Sequence, residues 1–137
     1  MTHPTLMVLD GTFAIHRFAP GTPIPKEIFS SPFYAITATD EELSVVLLEG
    51  LLTKSDKVDG GWSVIKVNGP LKLTMTGVMA RLSTTLAEAG VSLFAISTFD
   101  TDYLLIKTAA LDKARQALQA RGYKFRKSHK KAEEQDP

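Results

Sequence analysis

The order of strand and helix patterns between residues 62 and 125 constrains the fold of this chain more than any other feature. A β-branched segment over Trp62–Val67 precedes a helical stripe in which apolar residues recur every three or four positions. Two apolar segments follow, Val91–Thr98 and Tyr103–Thr108, and then a second helical stripe. A short last strand is predicted over Tyr123–Phe125. The order β-α-β-β-α-β predicts a ferredoxin-like arrangement, with two helices on one face of a four-stranded sheet.

The first half of the chain contains a weaker copy of this pattern. At an offset of 60 residues, Ile36–Val46 aligns with Ile96–Ile106, and each segment contains an apolar strand, hydroxyl residues, an acidic turn and a second strand. Prolines at positions 20, 23 and 25 interrupt the place where a first long helix would lie, so at most Lys26–Phe29 forms a short turn there. A chance likeness between two hairpins remains the alternative.

These patterns divide the chain into three predicted parts. Residues 1–58 form a reduced N-terminal module, residues 59–127 a complete module, and residues 128–137 a disordered tail. The polar segment Thr53–Gly61 is the natural connector. Because a module of about 55 residues is marginal alone, we expect the two modules to pack as one compact unit. The predicted fold class is therefore α+β, with two ferredoxin-like (βαββαβ) modules, the first of them reduced.

The C-terminal end is strongly charged, although the net charge of the chain is only +1. Residues 121–131 contain six lysines and arginines, and three acidic residues follow them. A basic tail can contact nucleic-acid phosphates, but a solvated and partly disordered terminus explains the same charges. We favour the solvated terminus and predict no nucleic-acid partner.

Composition excludes several classes of chemistry. The chain has no cysteine, which excludes disulfides and cysteine-based zinc or nucleophile sites. No apolar run approaches the ~18–20 residues that span a bilayer, and Asp10 interrupts the first apolar stretch. We therefore expect no membrane segment, no signal peptide and a cytoplasmic location. His3, His16 and His129 lack metal-ligand spacing, and neither a catalytic triad nor a phosphate loop is present, so we predict no catalytic residue, metal or cofactor.

Three strings in the second half resemble the ACT-domain family. They are Gly69–Ala80 (GPLKLTMTGVMA), Leu86–Ser92 (LAEAGVS) and Ile96–Ile106 (ISTFDTDYLLI). In the first half, Leu9–Arg17 (LDGTFAIHR) and Pro23–Pro25 resemble the opening of one subgroup, the small stand-alone bacterial tandem ACT proteins. That subgroup is related to the CASTOR arginine sensors and to aspartate-kinase regulatory domains.

The resemblance implies regulatory ligand binding and no catalysis. In such domains an amino acid commonly lies where the loop before the first helix meets a strand of a neighbouring module. By similarity, the ligand-binding residues here are Thr76, Gly77 and Val78 in the loop and Ser97, Thr98, Phe99, Thr101 and Asp102 in the facing strand and turn. Many ACT domains have an Asp-x-x-Gly pattern before this helix, whereas this chain has Thr74-Met-Thr-Gly77, so the identity of the ligand stays open.

The residue types suit the two charged groups of a free amino acid. Gly77 lets a backbone approach closely, and the N–H groups at the start of the next helix favour a carboxylate. Asp102 can pair with an ammonium group through a charge-assisted hydrogen bond. Plainer explanations also stand: Thr76-Gly77 as a strand-to-helix turn, Asp100 and Asp102 as caps of a hairpin turn, and Phe99 as a core residue.

We therefore predict a non-catalytic regulatory protein that binds an amino acid at an interface of ACT modules. The expected partners are this small ligand, a second copy of the chain in a homodimer, and a regulated enzyme. The alternative is a module without a ligand that serves protein–protein interaction or oligomerisation.

Overall fold

A computed structural model describes residues 3–68 and 77–127 of this protein. Its described part contains eight strands and two α-helices, which confirms the predicted α+β class. The strands are β1 (Thr5–Val8), β2 (Phe13–Phe18), β3 (Ala35–Ala38), β4 (Leu43–Leu48), β5 (Lys57–Asn68), β6 (Phe94–Ser97), β7 (Asp102–Lys107) and β8 (Lys124–Arg126). The helices are α1 (Val78–Glu88) and α2 (Leu111–Ala120). Short 3₁₀ helices cover Lys26–Ser30 and Thr108–Ala110.

The chain forms two compact units, which we call the N-terminal unit (Gly11–Trp62) and the C-terminal unit (Met1–Asp10 with Ser63–Pro137). The predicted boundary between residues 58 and 59 falls inside β5, which contributes to both units. Residues 1–10 belong with the C-terminal unit because β1 pairs along the last part of β5. The predicted tail, residues 128–137, lies outside the described residues.

The C-terminal unit has the predicted element order, β5-α1-β6-β7-α2-β8, and one additional strand. Its strands lie in the order β8-β1-β5-β7-β6. Strand β1 lies between β5 and β8, antiparallel to β5, with Leu6 opposite Val67, and parallel to β8, with Leu6 opposite Phe125. This pairing joins residues about 60 and 120 positions apart, and local periodicity carries no information about such contacts.

Both helices of the C-terminal unit end in the same way. Gly90 and Gly122 adopt positive φ angles of 75° and 95°, which glycine enters at little cost. The next residue then donates its N–H back to the helix, Val91 to the carbonyl of Leu86 at 2.9 Å and Tyr123 to that of Leu118 at 3.1 Å. These bonds turn two apolar side chains into the core. That core contains Leu6, Ile65, Val67, Val78, Leu82, Leu86, Val91, Leu104, Ile106, Ala114, Leu118 and Tyr123.

The N-terminal unit lacks a long helix, as the three prolines predicted. Its strands lie in the order β3-β4-β2-β5, and the 3₁₀ helix Lys26–Ser30 occupies the segment before β3. Ile28 of this 3₁₀ helix is fully buried and packs with Leu43, Val45 and Leu47. The unit therefore has an apolar cluster of its own, to which one turn of 3₁₀ helix contributes a single side chain.

The predicted connector Thr53–Gly61 is wrong from Lys57 onward, because β5 begins there. Glycines and charged residues made this segment resemble a linker. In the structure it pairs antiparallel with β2, and the register shifts between Phe13 and Ile15. Such a bulge accepts glycines and polar residues that a regular strand would disfavour.

No α-helix of the described ranges is long and apolar enough to cross a membrane.

Candidate functional site

The loop half of the predicted site ends in a left-handed turn at Gly77. Gly77 has a φ of 86° and precedes α1 without a side chain to cap it, and its carbonyl accepts the N–H of Arg81 at 2.9 Å. Val78 is 3% exposed and packs in the core, so its backbone is the part available to a ligand. Thr76 lies outside the described residues. At the start of α1, Gly77 therefore offers a ligand only backbone atoms.

The other predicted residues lie together at the end of the β6–β7 hairpin. Ser97 and Asp102 are opposite each other, and the Ser97 hydroxyl donates a 2.6 Å hydrogen bond to Oδ1 of Asp102. The N–H of Thr98 donates to the carbonyl of Thr101 at 2.8 Å, and the N–H of Thr101 donates to Oγ1 of Thr98 at 3.1 Å. Phe99, at the tip, is 82% exposed, so the interpretation of Phe99 as a core residue is wrong.

The turn of the β3–β4 hairpin has the same hydrogen bonds as the turn of the β6–β7 hairpin. Thr39 bonds to Glu42 as Thr98 bonds to Thr101, both through the backbone and through the threonine hydroxyl. These bonds relate the two turns at an offset of 59 residues, one fewer than the sequence comparison suggested. The predicted pairing of Asp40 with Asp100 is therefore shifted by one position.

With this corrected alignment, the β6–β7 hairpin has a polar pair, Ser97 and Asp102, that the β3–β4 hairpin lacks. The residues that correspond to Ser97 and Asp102 are Ala38 and Leu43, which also lie opposite each other. The turn itself needs only the threonine and the backbone, because both hairpins form it. A serine–carboxylate pair at the strand ends is thus an addition to the turn, and the structure of the turn does not require it.

The two halves of the predicted site do not bond to each other within one copy of the described chain. Among residues 3–68 and 77–127, no hydrogen bond or ion pair joins Gly77 or Val78 to the segment Ser97–Asp102. Each half is ordered by its own local bonds. The assignment of both halves to one ligand site remains a prediction.

Arg81 is a charged neighbour of the Gly77 turn that the sequence analysis did not select. A Cβ on Gly77 would lie 3.1 Å from Nη1 of Arg81, so the guanidinium lies against the glycine. Its Nε is buried and has no hydrogen-bond partner in the described part of the chain. The available signal was the spacing of four residues from Gly77, which places a side chain over the first helical turn.

Of the histidines in the described residues, His16 is the more buried, and it has a structural partner. His16 is only 4% exposed, and its Nδ1 lies 2.8 Å from Oγ of Ser55. Burial lowers the pKa of His16 below its usual 6.5. His16 is therefore a buried residue whose Nδ1 has a hydrogen-bond partner. In the described ranges, no cluster of three or more His, Asp or Glu residues has a geometry suited to a metal ion.

Solved structures resemble this chain over most of its length. Protein Atu0741 from Agobacterium tumefaciens is 32% identical, with 94% of this chain and 96% of that chain covered and a TM-score of 0.87. Protein VC0802 from Vibrio cholerae, described as of unknown function and a possible transport protein, is 21% identical over 85% of this chain and 88% of its own, with a TM-score of 0.66. The regulatory subunit of aspartate kinase from Thermus thermophilus is 13% identical over 82% of this chain and 95% of its own, with a TM-score of 0.58. The last two show a shared fold.

Family models match both parts of the chain. A model described as an N-terminal domain matches residues 11–54, and the ACT domain model matches residues 57–120. No curated protein sequence matches the chain. The ACT match runs from the start of β5 to the end of α2 and so covers the ferredoxin-like order except for its last strand, β8. The chain belongs to the ACT-domain family.

Proposed function

We propose that this chain is a non-catalytic regulatory protein whose ACT module binds a free amino acid. The observation that carries the proposal is the polar pair Ser97–Asp102, joined by a 2.6 Å hydrogen bond at strand ends where the other hairpin has Ala38 and Leu43. A carboxylate that the fold does not need is available for an ammonium group. Membership of a regulatory domain family and the likeness to an aspartate kinase regulatory subunit support a sensing role.

The carboxylate of the amino acid would bind at the start of α1. Peptide dipoles give a helix N-terminus a partial positive charge, which favours an anion there. Gly77 has a positive φ and presents no side chain at this point. The guanidinium of Arg81, which lies against Gly77, adds positive charge next to the same turn.

The ammonium group would bind at Asp102. Ser97 already donates to Oδ1, which fixes the orientation of the carboxylate and leaves Oδ2 for a second donor. The exposed ring of Phe99 and the hydroxyls of Thr98 and Thr101 would contact the ligand side chain. Preorganisation of this kind reduces the entropy lost on binding.

We further propose a homodimer, in which the loop of one copy faces the hairpin of the other. The two halves make no bond to each other within one described chain, so a second copy offers a way to bring them together. Within the described residues β6 has a strand neighbour on one side only, β7, and its Phe94 is 38% exposed. An edge with an exposed aromatic ring is suited to pairing with another chain.

Isothermal titration against the twenty amino acids tests the proposal. We expect one of them, or a few with related side chains, to bind with a saturable heat. Asp102→Asn should weaken this binding at least about tenfold, since a charge-assisted hydrogen bond is lost. Asp100→Asn is the matched control, because it removes an exposed carboxylate of the same turn, and it should change the affinity less than about twofold.

The absence of any binding tighter than millimolar would refute the amino-acid proposal, and equal effects of the two substitutions would refute the role of Asp102.

Sedimentation analysis at several protein concentrations tests the dimer. If the chain dimerises with the same constant whether or not amino acids are present, the second candidate function is favoured, a ligand-free oligomerisation module. The exposed rings of Phe94 and Phe99 on one hairpin are the observation that supports that alternative.

A further inference from the structure

A cavity of about 290 Å³ lies in the C-terminal unit, away from the β6–β7 hairpin. Arg81, Thr84 and Thr85 of α1 line one side, and His3, Arg121 and Tyr123 line the other. The volume is near the lower end of the range for small-molecule pockets. The cavity therefore has room for a ligand of a few heavy atoms.

The lining of this cavity is positively charged. Arg81 and Arg121 contribute guanidinium groups and His3 contributes an imidazole, whereas none of the lining residues is acidic. The carboxylate of Glu88 pairs with Nη2 of Arg121, and both side chains of this pair are more than half exposed. An exposed pair of this kind contributes little and can open, so Arg121 remains available to an anion.

Two buried nitrogen atoms of the lining have no hydrogen-bond partner in the described part of the chain. They are Nε of Arg81 and Nδ1 of His3. Buried polar atoms are nearly always hydrogen-bonded, and each exception calls for an explanation such as a bound ion or ligand. Both atoms belong to side chains that line the same cavity. Each of the two side chains therefore has unused hydrogen-bonding capacity next to the cavity.

The wall that carries His3 is fixed by the end of α2. The His3 ring stacks on Tyr123 with ring centroids 4.2 Å apart. It also lies over Gly122, where a Cβ would be only 3.3 Å from Cδ2 of His3. The N–H of Tyr123 is bonded to the carbonyl of Leu118, so this wall is held by the helix terminus. The imidazole is positioned before any ligand arrives.

We propose that this cavity is an anion-binding site for a small oxyanion, the chemistry shared by phosphate and carboxylate groups. Arg81 supplies the principal charge, His3 donates from Nδ1, and Arg121 closes over the anion from the surface. Guanidinium groups bind oxyanions through two parallel N–H bonds. The site shares Arg81 with the proposed carboxylate position at Gly77, but not Ser97 or Asp102, which do not line it.

Titration calorimetry with sodium phosphate and with sodium acetate, at constant ionic strength, tests the site. Saturable binding of either anion is expected, and the tighter of the two identifies the oxyanion class. Arg81→Gln should weaken it at least tenfold and His3→Gln several-fold. Arg126→Gln is the control, since Arg126 is an exposed arginine of the same unit outside the cavity, and it should leave the affinity within about twofold. Gly122→Ala should also weaken binding, because the new methyl group displaces the His3 ring.

Two results would overturn the proposal: no saturable binding of either anion, or equal weakening by Arg81→Gln and Arg126→Gln. Thermal unfolding of each variant shows whether a loss reflects misfolding, and His3→Gln provides a second substitution at the opposite wall. The Asp102→Asn variant should bind phosphate or acetate as the unsubstituted protein does. Failure of the anion site and failure of the amino-acid site are therefore distinguishable.

Discussion

The hydroxyl of Ser97 donates a 2.6 Å hydrogen bond to Oδ1 of Asp102 from the opposite strand of its hairpin. The bond is exposed to solvent, so we expect it to contribute little to folding. Ser97→Ala should change the free energy of unfolding by less than about 0.5 kcal/mol. It should weaken amino-acid binding several-fold, because the carboxylate loses the donor that orients it. Urea denaturation and titration calorimetry on the same variant measure the two effects.

A structural role for Ser97 and Asp102 would give the opposite result. A loss of stability of 1 kcal/mol or more, of about the size expected for one buried hydrogen bond, without a change in ligand affinity would make Ser97 and Asp102 a structural pair. The second hairpin would then need this pair for a reason that its counterpart, with Ala38 and Leu43 at the same places, does not have.

Truncation to alanine should leave the stability nearly unchanged at Phe99 and lower it strongly at Leu82. Phe99 is 82% exposed, so Phe99→Ala should leave the stability within about 0.5 kcal/mol of the original. Leu82 is fully buried in the core of the C-terminal unit, and Leu82→Ala should cost about 2–5 kcal/mol through lost burial and the cavity that remains. Denaturant unfolding of both variants makes the comparison. A large cost for Phe99→Ala would mean that the ring is covered in solution, as a dimer contact would cover it.

Local pattern was sufficient for most of the C-terminal unit. The stripe Val78, Leu82, Leu86 predicted α1, and Gly90 and Gly122 each lie two positions after the last residue of a helix. The proline-interrupted segment correctly predicted that the first module has no long helix. These features depend on neighbours within four or five positions, where hydrophobic periodicity and turn chemistry operate.

The features that sequence did not predict depend on distant contacts. Nothing near Leu6 indicates that β1 pairs with β8, and nothing near Lys57 indicates that a glycine-rich segment pairs with β2. Arg81 was missed for the same reason: its importance comes from His3, Arg121 and Tyr123 on the other wall of a cavity. Phe99 was uncertain because an aromatic residue in a turn has no periodicity that tells core from surface.

Comparison of Gly77→Ala with Gly21→Ala distinguishes the effect of backbone strain from the effect of displacing Arg81. Both glycines have φ angles above 80°, so alanine should destabilise each by about 1 kcal/mol or more. A methyl group at Gly21 would meet no atom within 4 Å, whereas one at Gly77 would lie 3.1 Å from Nη1 of Arg81. Only Gly77→Ala should therefore weaken the binding of amino acid and of phosphate. Unfolding and calorimetry on both variants test this, and a similar loss of binding with Gly21→Ala would argue for a general effect of destabilisation.

The stability of the protein should fall as the pH is lowered below 6.5, and His16 should be one cause. Ser55 Oγ donates to the carbonyl of Lys57, so it accepts from Nδ1 of His16, which identifies the neutral tautomer as the one protonated at Nδ1. Burial lowers the pKa of His16 below its value of 6.5 in the unfolded chain. Between these two pKa values the unfolded state binds the proton and the folded state does not.

The contribution of neutral His16 to stability is complete above pH 6.5, decreases as the pH falls from 6.5 toward the lower folded pKa, and does not change further below it. Urea unfolding followed by the fluorescence of Trp62, the single tryptophan, at pH 7.5 and at about 5.5 measures the loss while most carboxylates stay ionised. In His16→Gln the difference between the two pH values should be smaller, although glutamine lowers stability at both. An unchanged difference would mean that His16 is protonated as readily in the folded protein as in the unfolded chain.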